Sequence, residues 1–434
     1  MSWKEYYKNH QLTATEAASK VQCGDRVLFG HAIGEPSAII DALVENKEQF
    51  TDVEIVHMVG MGKGQYCQPG MEKHFRHNSL FVGSPGRKAI AEGRGDFTPC
   101  YFSLIPALFA DGTLPIDVFM MQVSPPDKHG YVSLGVSVDY GVSAVQNAKL
   151  VVAQVNSFMP RTHGDTFVRV NDIDWFVEHD APLIELAKPQ LTEVERQIGR
   201  HCASLIEDGA TIQLGIGSLP DAVLLSLDDK KDLGIHSEMI SDSVLALIQK
   251  GVINNRKKTL HPGKLVVSFL MGTAEFYEFA DDNPMFHMMP VDYVNDVDVI
   301  AENDKMVSIN SCVQVDLMGQ VASESVGLTQ ISAVGGQVDF VRGANKSKGG
   351  KSIIAMPSTA AGGKISKIVP FLDQGAAVTT SRNDVRYVVT EYGIAELFGK
   401  TLRERARQLI QIAHPDFREG LIAEWERRFC ASYN

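Results

Sequence analysis

Glu238, in the run His236-Ser237-Glu238-Met239, and the upstream turn Gly215-Ile216-Gly217 are the residues whose types and spacing best suit joint chemistry. An ionised carboxylate can attack an acyl carbon, and backbone N–H groups in a glycine turn can receive the oxyanion that forms. The local pattern supports such a pairing. Thr211-Ile212-Gln213-Leu214 reads as a strand that empties into the turn, and Pro220 opens an apolar helical segment, 221–225. Glycine lets the backbone approach a ligand closely, and the free N–H groups of a helix start favour an anion. A second short strand, 233–236, is expected to deliver Glu238 at its end. The bland alternative is a glutamate that caps a helix or sits as a solvated charge.

Other constellations are weaker. Residues 345–352, NKSKGGKS, nearly spell a phosphate loop, but Asn345 replaces its first glycine and a strand-like run, 352–357, follows where a helix is required. The turns at 60–64 and 215–217 lack the third glycine and the acidic residue of a dinucleotide fingerprint. His74 and His77 stand in a basic stretch without matching acids or cysteines, so a surface helix is expected there and not a zinc site. His31 occupies the place that Ile216 holds in the second half, and a satisfied structural histidine is its default role.

The elements around these residues recur. Gly24 and Gly209 are 185 positions apart, as are Gly30 and Gly215, and Pro36 and Pro220 are 184 apart. The pattern D-x-x-G-x-V appears at Asp127 and again at Asp316, an offset of 189. A looser echo links 150–155 with 387–392. After the strand at 55–60 the first half carries no carboxylate, so the halves differ where Glu238 stands. Apolar strands alternating with amphipathic helices predict an α/β fold of two related domains with mainly parallel sheets, the product of internal duplication, with ligands at the carboxyl ends of the strands. The boundary is expected at 185–192, giving domains 1–187 and 188–434. Residues 341–351, polar and glycine-rich, read as a mobile surface loop able to move over the site, and 401–429 reads as a charged helical tail.

Composition sets further bounds. The chain has 434 residues, 44% of them hydrophobic and 22% charged, enough for two separate cores. A formal net charge of -12 gives no footprint for nucleic acid or an anionic membrane. The six cysteines are scattered without a CxxC, which fits buried thiols in a reducing cytoplasm. The polar N-terminus, MSWKEYYKNHQL, is not the pattern of a signal peptide, and no apolar run reaches spanning length.

The sequence resembles the acetyl-CoA hydrolase/transferase family of CoA-transferases over nearly its whole length. The resemblance runs through LFGHAIGEPSAI, VFMMQVSPPDKHGY, HCASLIEDGATIQLGIGSLPDAVL, LGIHSEMISD, FLMGT, PVDYVN, GGQVDFVRG, GGKISKIVPF and AAVTTSRNDVRYVVTEYGIAEL. It implies an enzyme that moves CoA between acetyl-CoA and a short-chain carboxylate such as 4-hydroxybutyrate or butyrate, through a glutamyl-CoA thioester on Glu238. An acyl-CoA hydrolase using the same glutamate, or a catalytically silent acyl-CoA-binding protein, are the alternatives. By the same matching Gly215, Ile216, Gly217, Ser218 and Leu219 form the CoA-contacting loop, with the N–H of Ile216 as one oxyanion donor. The second donor comes from the Gly335-Gly336 pair and is assigned to Gly336, with Gly335 as the alternative. Asn295, Val313, Lys364 and Glu391 match CoA-side positions. The first domain would supply the acceptor pocket, with His31 and the loop 60–65 as possible walls. CoA is then a substrate, no metal or other cofactor is implied, and the expected form is a cytoplasmic homodimer.

Overall fold

The computed structural model describes residues 2–187 and 189–433; Lys188, inside the expected linker, and the terminal residues Met1 and Asn434 lie outside them. Two compact units result: Met1–Ala187 with Leu265–Val294, and Lys188–Lys264 with Asn295–Asn434. The expectation that 188–434 forms one continuous domain is therefore corrected for residues 265–294. Their backbone bonds explain the transfer. Val138 N–H donates to Ser268, Leu270 N–H to Val136, Val291 N–H to Asp139 and Asp165 N–H to Met288.

In the first unit the strands are β1 (Arg26–Phe29), β2 (Val53–His57), β3 (Phe75–Ser79), β4 (Gly95–Phe97), β5 (Val118–Val123), β6 (Leu150–Val155) and β7 (Trp175–Glu178). They form one sheet in the order β4-β3-β2-β1-β5-β6-β7, every pair parallel. A parallel strand is covered on both faces, so it is apolar throughout; every residue of β5, Val-Phe-Met-Met-Gln-Val, is buried. Helix α1 (Ala14–Ala18) starts with a capping box between Thr13 and Glu16, and α2 (Ser37–Glu45) buries Ile39, Ile40, Ala42 and Leu43 against the sheet core. The surface helix expected around His74 and His77 is instead β3. His77 lies inside it, and burial pushes its pKa down to about 4, so the ring stays neutral near neutral pH.

The second unit repeats this plan. Its strands β8 (Thr211–Leu214), β9 (Gly234–Ile240), β10 (Met306–Ser311), β11 (Lys351–Ala355) and β12 (Tyr387–Thr390) pair in the order β9-β8-β10-β11-β12, all parallel, and β13 (Gly393–Glu396) returns antiparallel on β12. That matches β2-β1-β5-β6-β7. The two D-x-x-G-x-V segments also fold alike. Asp127 Oδ1 accepts from the N–H groups of His129 and Tyr131 around Gly130 at φ +85°, and Asp316 Oδ1 from those of Met318 and Gln320 around Gly319 at φ +86°. The third echo does not hold: strand order makes β11, not β12, the counterpart of β6. Val-Val runs recur in any buried parallel strand and carry little positional information.

Helix α3 (Glu193–Ser204), capped by Thr192 and Glu195, leads into β8, and α4 (Ser218–Leu225) follows the 215–217 turn. The expected mobile loop at 341–351 is ordered structure. Residues Gln337–Lys346 form helix α5, which buries Val338, Phe340, Val341 and Ala344, and β11 begins at Lys351. Polar composition concealed an apolar helical face. The tail forms α6 (Leu402–Gln411) and α7 (Pro415–Phe429), with Leu409, Leu421 and Trp425 in a core cluster beneath the charged surface. All six cysteines are free, and two of them, Cys23 and Cys430, are exposed instead of buried. Among the described residues no helix is long and apolar enough to cross a membrane.

Candidate active site

Glu238 lies within β9, which runs on to Ile240, and not after the end of a shorter strand. The pairing of Thr211 with Gly234 and Ile212 with Ile235 sets Leu214 level with Ser237, so the 215–217 turn begins level with Glu238. Ser237 secures this alignment from the opposite face of the strand. Its one hydroxyl proton lies within reach of the carbonyls of Leu214 at 3.0 Å and Met239 at 2.7 Å, and its oxygen accepts from the Leu214 N–H at 3.4 Å. On the Glu238 face, the buried His236 ring meets Phe340 of α5 edge to face, so α5 packs over that side of β9.

At the carboxylate itself three remote segments meet. Asn295, fully buried, donates from Nδ2 to Glu238 Oε2 at 2.8 Å. Gly336, the N-cap of α5, stands against both: a Cβ built there would overlap Glu238 Oε2 and Asn295 Nδ2 and lie 3.3 Å from Asn295 Cγ. Glycine is required at 336 for space, since its φ of -97° suits any residue, whereas Gly335 at φ +52° is required for conformation. The helix start and the Asn295 amide both favour a negative charge on Glu238. Asn295 Oδ1 is buried without a hydrogen-bond partner among the described residues, leaving one acceptor for a ligand donor.

The structure distributes the other expected residues over neighbouring loops of the same unit. Gly215 has open space around its Cα, Ile216 is 44% exposed, and Gly217 at φ +108° caps α4, where Ser218 hydrogen-bonds to Glu195 and Leu219 is half-buried. Val313 follows β10, the strand beside β8, and its N–H donates to Ala322. Lys364 is exposed on the hairpin of Thr359–Ala360 and Ile365–Ser366. Glu391 follows β12, and its carboxylate receives both the N–H and the hydroxyl of Ser358 at 2.8 and 2.6 Å. It thereby anchors the segment that opens the Lys364 hairpin. Sequence reasoning overlooked Ser237 as the staple between β8 and β9, although its adjacency to Glu238 was a usable signal.

In the first unit His31 is the satisfied histidine its default role implied. It is 2% exposed, its Nδ1 lies 3.1 Å from Asp139 Oδ2, and its ring packs edge-on to Phe102 and Phe269. Glu35, in the same loop, was not singled out from sequence. Its buried carboxylate accepts from the N–H of Met61, and burial raises its pKa to about 7 against the opposing pull of the Met61 and Gly62 N–H groups.

Comparisons with known proteins agree with this architecture. Residues 1–186 match the acetyl-CoA hydrolase/transferase N-terminal domain and residues 272–425 the C-terminal domain of the same family. A 4-hydroxybutyrate coenzyme A transferase of Clostridium kluyveri is 63% identical, covering 99% of this chain and 100% of that protein. A butyryl-CoA:acetate CoA-transferase of Anaerostipes caccae is 37% identical over 98% of each chain. Among solved structures, RipA from Yersinia pestis superposes with a TM-score of 0.94 at 38% identity, covering 99% of this chain and 100% of that one. A 4-hydroxybutyrate CoA-transferase from Porphyromonas gingivalis gives 0.86 at 44%, with the same coverage. The paired domain matches and the full-length relatives, together with a glutamate held between an asparagine and a glycine-capped helix, place this chain in the acetyl-CoA hydrolase/transferase family.

Proposed function

We propose that this enzyme is a CoA-transferase that exchanges CoA between acetyl-CoA and a short-chain monocarboxylate, 4-hydroxybutyrate or butyrate, with Glu238 as its covalent carrier. The observation that carries the reading is the seating of the Glu238 carboxylate between Asn295 Nδ2 and a position, 336, where no side chain fits. Glycine at 336 leaves the carboxylate this seat between the Asn295 amide and the start of α5. The names of the relatives support the choice of substrates.

The chemistry conserves the thioester. A Glu238 oxygen attacks the thioester carbonyl, and the tetrahedral oxyanion is received by backbone N–H groups at Ile216 and Gly336, each contributing about 2.7–4 kcal/mol in comparable sites. The C–S bond breaks, leaving an acyl-glutamyl anhydride and CoA thiolate. The thiolate then attacks the glutamyl carbonyl, the first carboxylate departs, and Glu238 holds CoA as a thioester. An incoming carboxylate reverses these steps, giving ping-pong kinetics. Residues 215–219, Asn295, Val313, Lys364 and Glu391 serve the CoA side, Glu391 through its hold on Ser358. The scheme uses no metal or redox group.

The test is direct. Incubation with acetyl-CoA should add to the chain the mass of CoA less one water, since a glutamate oxygen leaves with acetate, in an adduct reducible by borohydride at Glu238, and Glu238→Ala should lose both adduct and turnover. Carboxylate-dependent exchange without net thioester loss separates transfer from hydrolysis. A chain that turns over without any adduct, or a Glu238→Ala variant of unchanged activity, would overturn the covalent reading.

A further inference from the structure

Residues 254–264 wrap the amino-terminal half of β9 and satisfy its backbone with side chains. Asn255, fully buried, accepts the Ile235 N–H at Oδ1, 2.9 Å away. Lys258 completes the clasp from the same loop. Its Nζ donates to the carbonyl of Ile235 at 2.6 Å and to that of Lys264 at 2.9 Å. The side chain is 4% exposed, and its stem runs over Gly234, where a Cβ would lie 2.8 Å from Lys258 Cδ and overlap Cγ. Gly234 thus makes room for a lysine that reaches the strand carrying Glu238.

We propose that Lys258 is a positioning residue for the transfer reaction: its amine ties the Ile235 carbonyl to the Lys264 carbonyl and so holds β9 in the register that presents Glu238 to Asn295 and Gly336. The inference rests on Glu238 being the nucleophile. Ile235 is three residues from Glu238, roughly 10 Å along an extended strand, so a shift at the clasp passes along one rigid element. A neutral amine has two N–H donors, and the two carbonyls use both. Protonation adds a charge and a third N–H at a buried position where no carboxylate pairs with the amine among the described residues. Burial alone accordingly lowers the Lys258 pKa to about 7. The titratable group that feels its charge is His261 on the same loop, itself lowered by burial and by the lysine charge, with Glu302 acting on His261 in the opposite sense. From β8 the neighbour is the Thr211 hydroxyl, near Gly234, which does not titrate in this range.

The experiment is a rapid-quench measurement of adduct formation on Glu238 with acetyl-CoA between pH 5.5 and 8.5, using the full chain and Lys258→Met and Lys258→Arg variants. The native rate should fall about tenfold per pH unit below an ionisation near 7, the behaviour of a single required deprotonated group. Lys258→Met should form the adduct at least about tenfold more slowly at pH 8 and show no ionisation near 7, while its Kd for CoA stays within about twofold. Lys258→Arg, always charged, should be slow at every pH. A native profile flat from pH 6 to 8 overturns the proposal, and this result needs no variant to fold. A folded Lys258→Met chain with the native rate overturns it as well. If the native chain forms no adduct at any pH, the covalent reading itself fails, an outcome distinct from a normal adduct with a flat profile.

Discussion

Gly336→Ala is the substitution that most sharply probes the geometry around Glu238. The new methyl would overlap both Glu238 Oε2 and Asn295 Nδ2, so each must move by about 1 Å to restore a normal separation. The half-buried carboxylate yields the more readily, while Asn295, fully buried, gives way only by disturbing the packing around it. Two losses follow. The charge-assisted hydrogen bond from Asn295 is worth about 1.5–3 kcal/mol, and a displacement of about 1 Å at a reacting group costs about 100-fold in rate. Because both losses fall on one carboxylate they overlap instead of multiplying, and a fall of about 100- to 1000-fold in kcat/KM is expected, or about 3–4 kcal/mol of barrier. The backbone itself tolerates the change, since φ -97° is open to alanine and the cap uses no side chain, but overpacking against the buried Asn295 should cost about 1–3 kcal/mol of fold stability. Gly335→Ala would act mainly on stability, since φ +52° strains any L-residue by about 1–2 kcal/mol. Steady-state transfer between acetyl-CoA and butyrate, intact mass for the CoA adduct and thermal melts measure these effects. A Gly336→Ala chain within threefold of native kcat/KM would show that Gly336 does not stand at the reacting carboxylate.

Asn295→Ala removes the donor to Glu238 Oε2 and should lower kcat by about 10- to 150-fold, with a smaller change in KM for acetyl-CoA. Combined with Gly336→Ala it should add little, because both act on one carboxylate; strictly multiplicative losses would argue that they act separately. Glu35 yields a pH prediction. Its folded pKa of about 7 lies above the ordinary carboxylate value of 4.5, so the folded chain keeps a proton that the unfolded chain has released. Stability therefore declines as pH rises from about 4.5 to 7, and above that window the cost is about 3 kcal/mol. Glu35→Gln abolishes this slope, so its Tm relative to the native chain should rise by about 6–10 °C between pH 5 and pH 8, as read by calorimetry. A constant difference across that range would refute the buried, proton-linked state of Glu35.

The parts of the fold that follow from local rules were legible in the residues themselves. Gly30 and Gly215, with Pro36 and Pro220 behind them, mark strand, turn and helix because glycine and proline restrict the backbone within a few positions. The paired Asp127 and Asp316 turns were readable for the same reason, and both close with identical side-chain bonds. Local pattern failed where composition outweighed periodicity. The polar residues of 341–351 hid the buried face of α5, and the histidines of 74–77 hid a strand whose partners lie in β2 and β4. Strand ends were also elusive: β9 runs on to Ile240 although the turn after β8 begins level with Glu238.

By itself the sequence determined that this is a duplicated α/β chain, and that its one-sided carboxylate, Glu238, stands beside a glycine turn. Only the tertiary structure decided what that carboxylate meets. Asn295 reaches it from 57 residues away and Gly336 from beyond that, because parallel strands need long crossovers and bring distant segments to one end of a sheet. A glycine such as Gly336, with a φ that any residue could adopt, carries no local mark of its necessity. The reason for it is a neighbouring oxygen, and that neighbour exists only once the chain has folded.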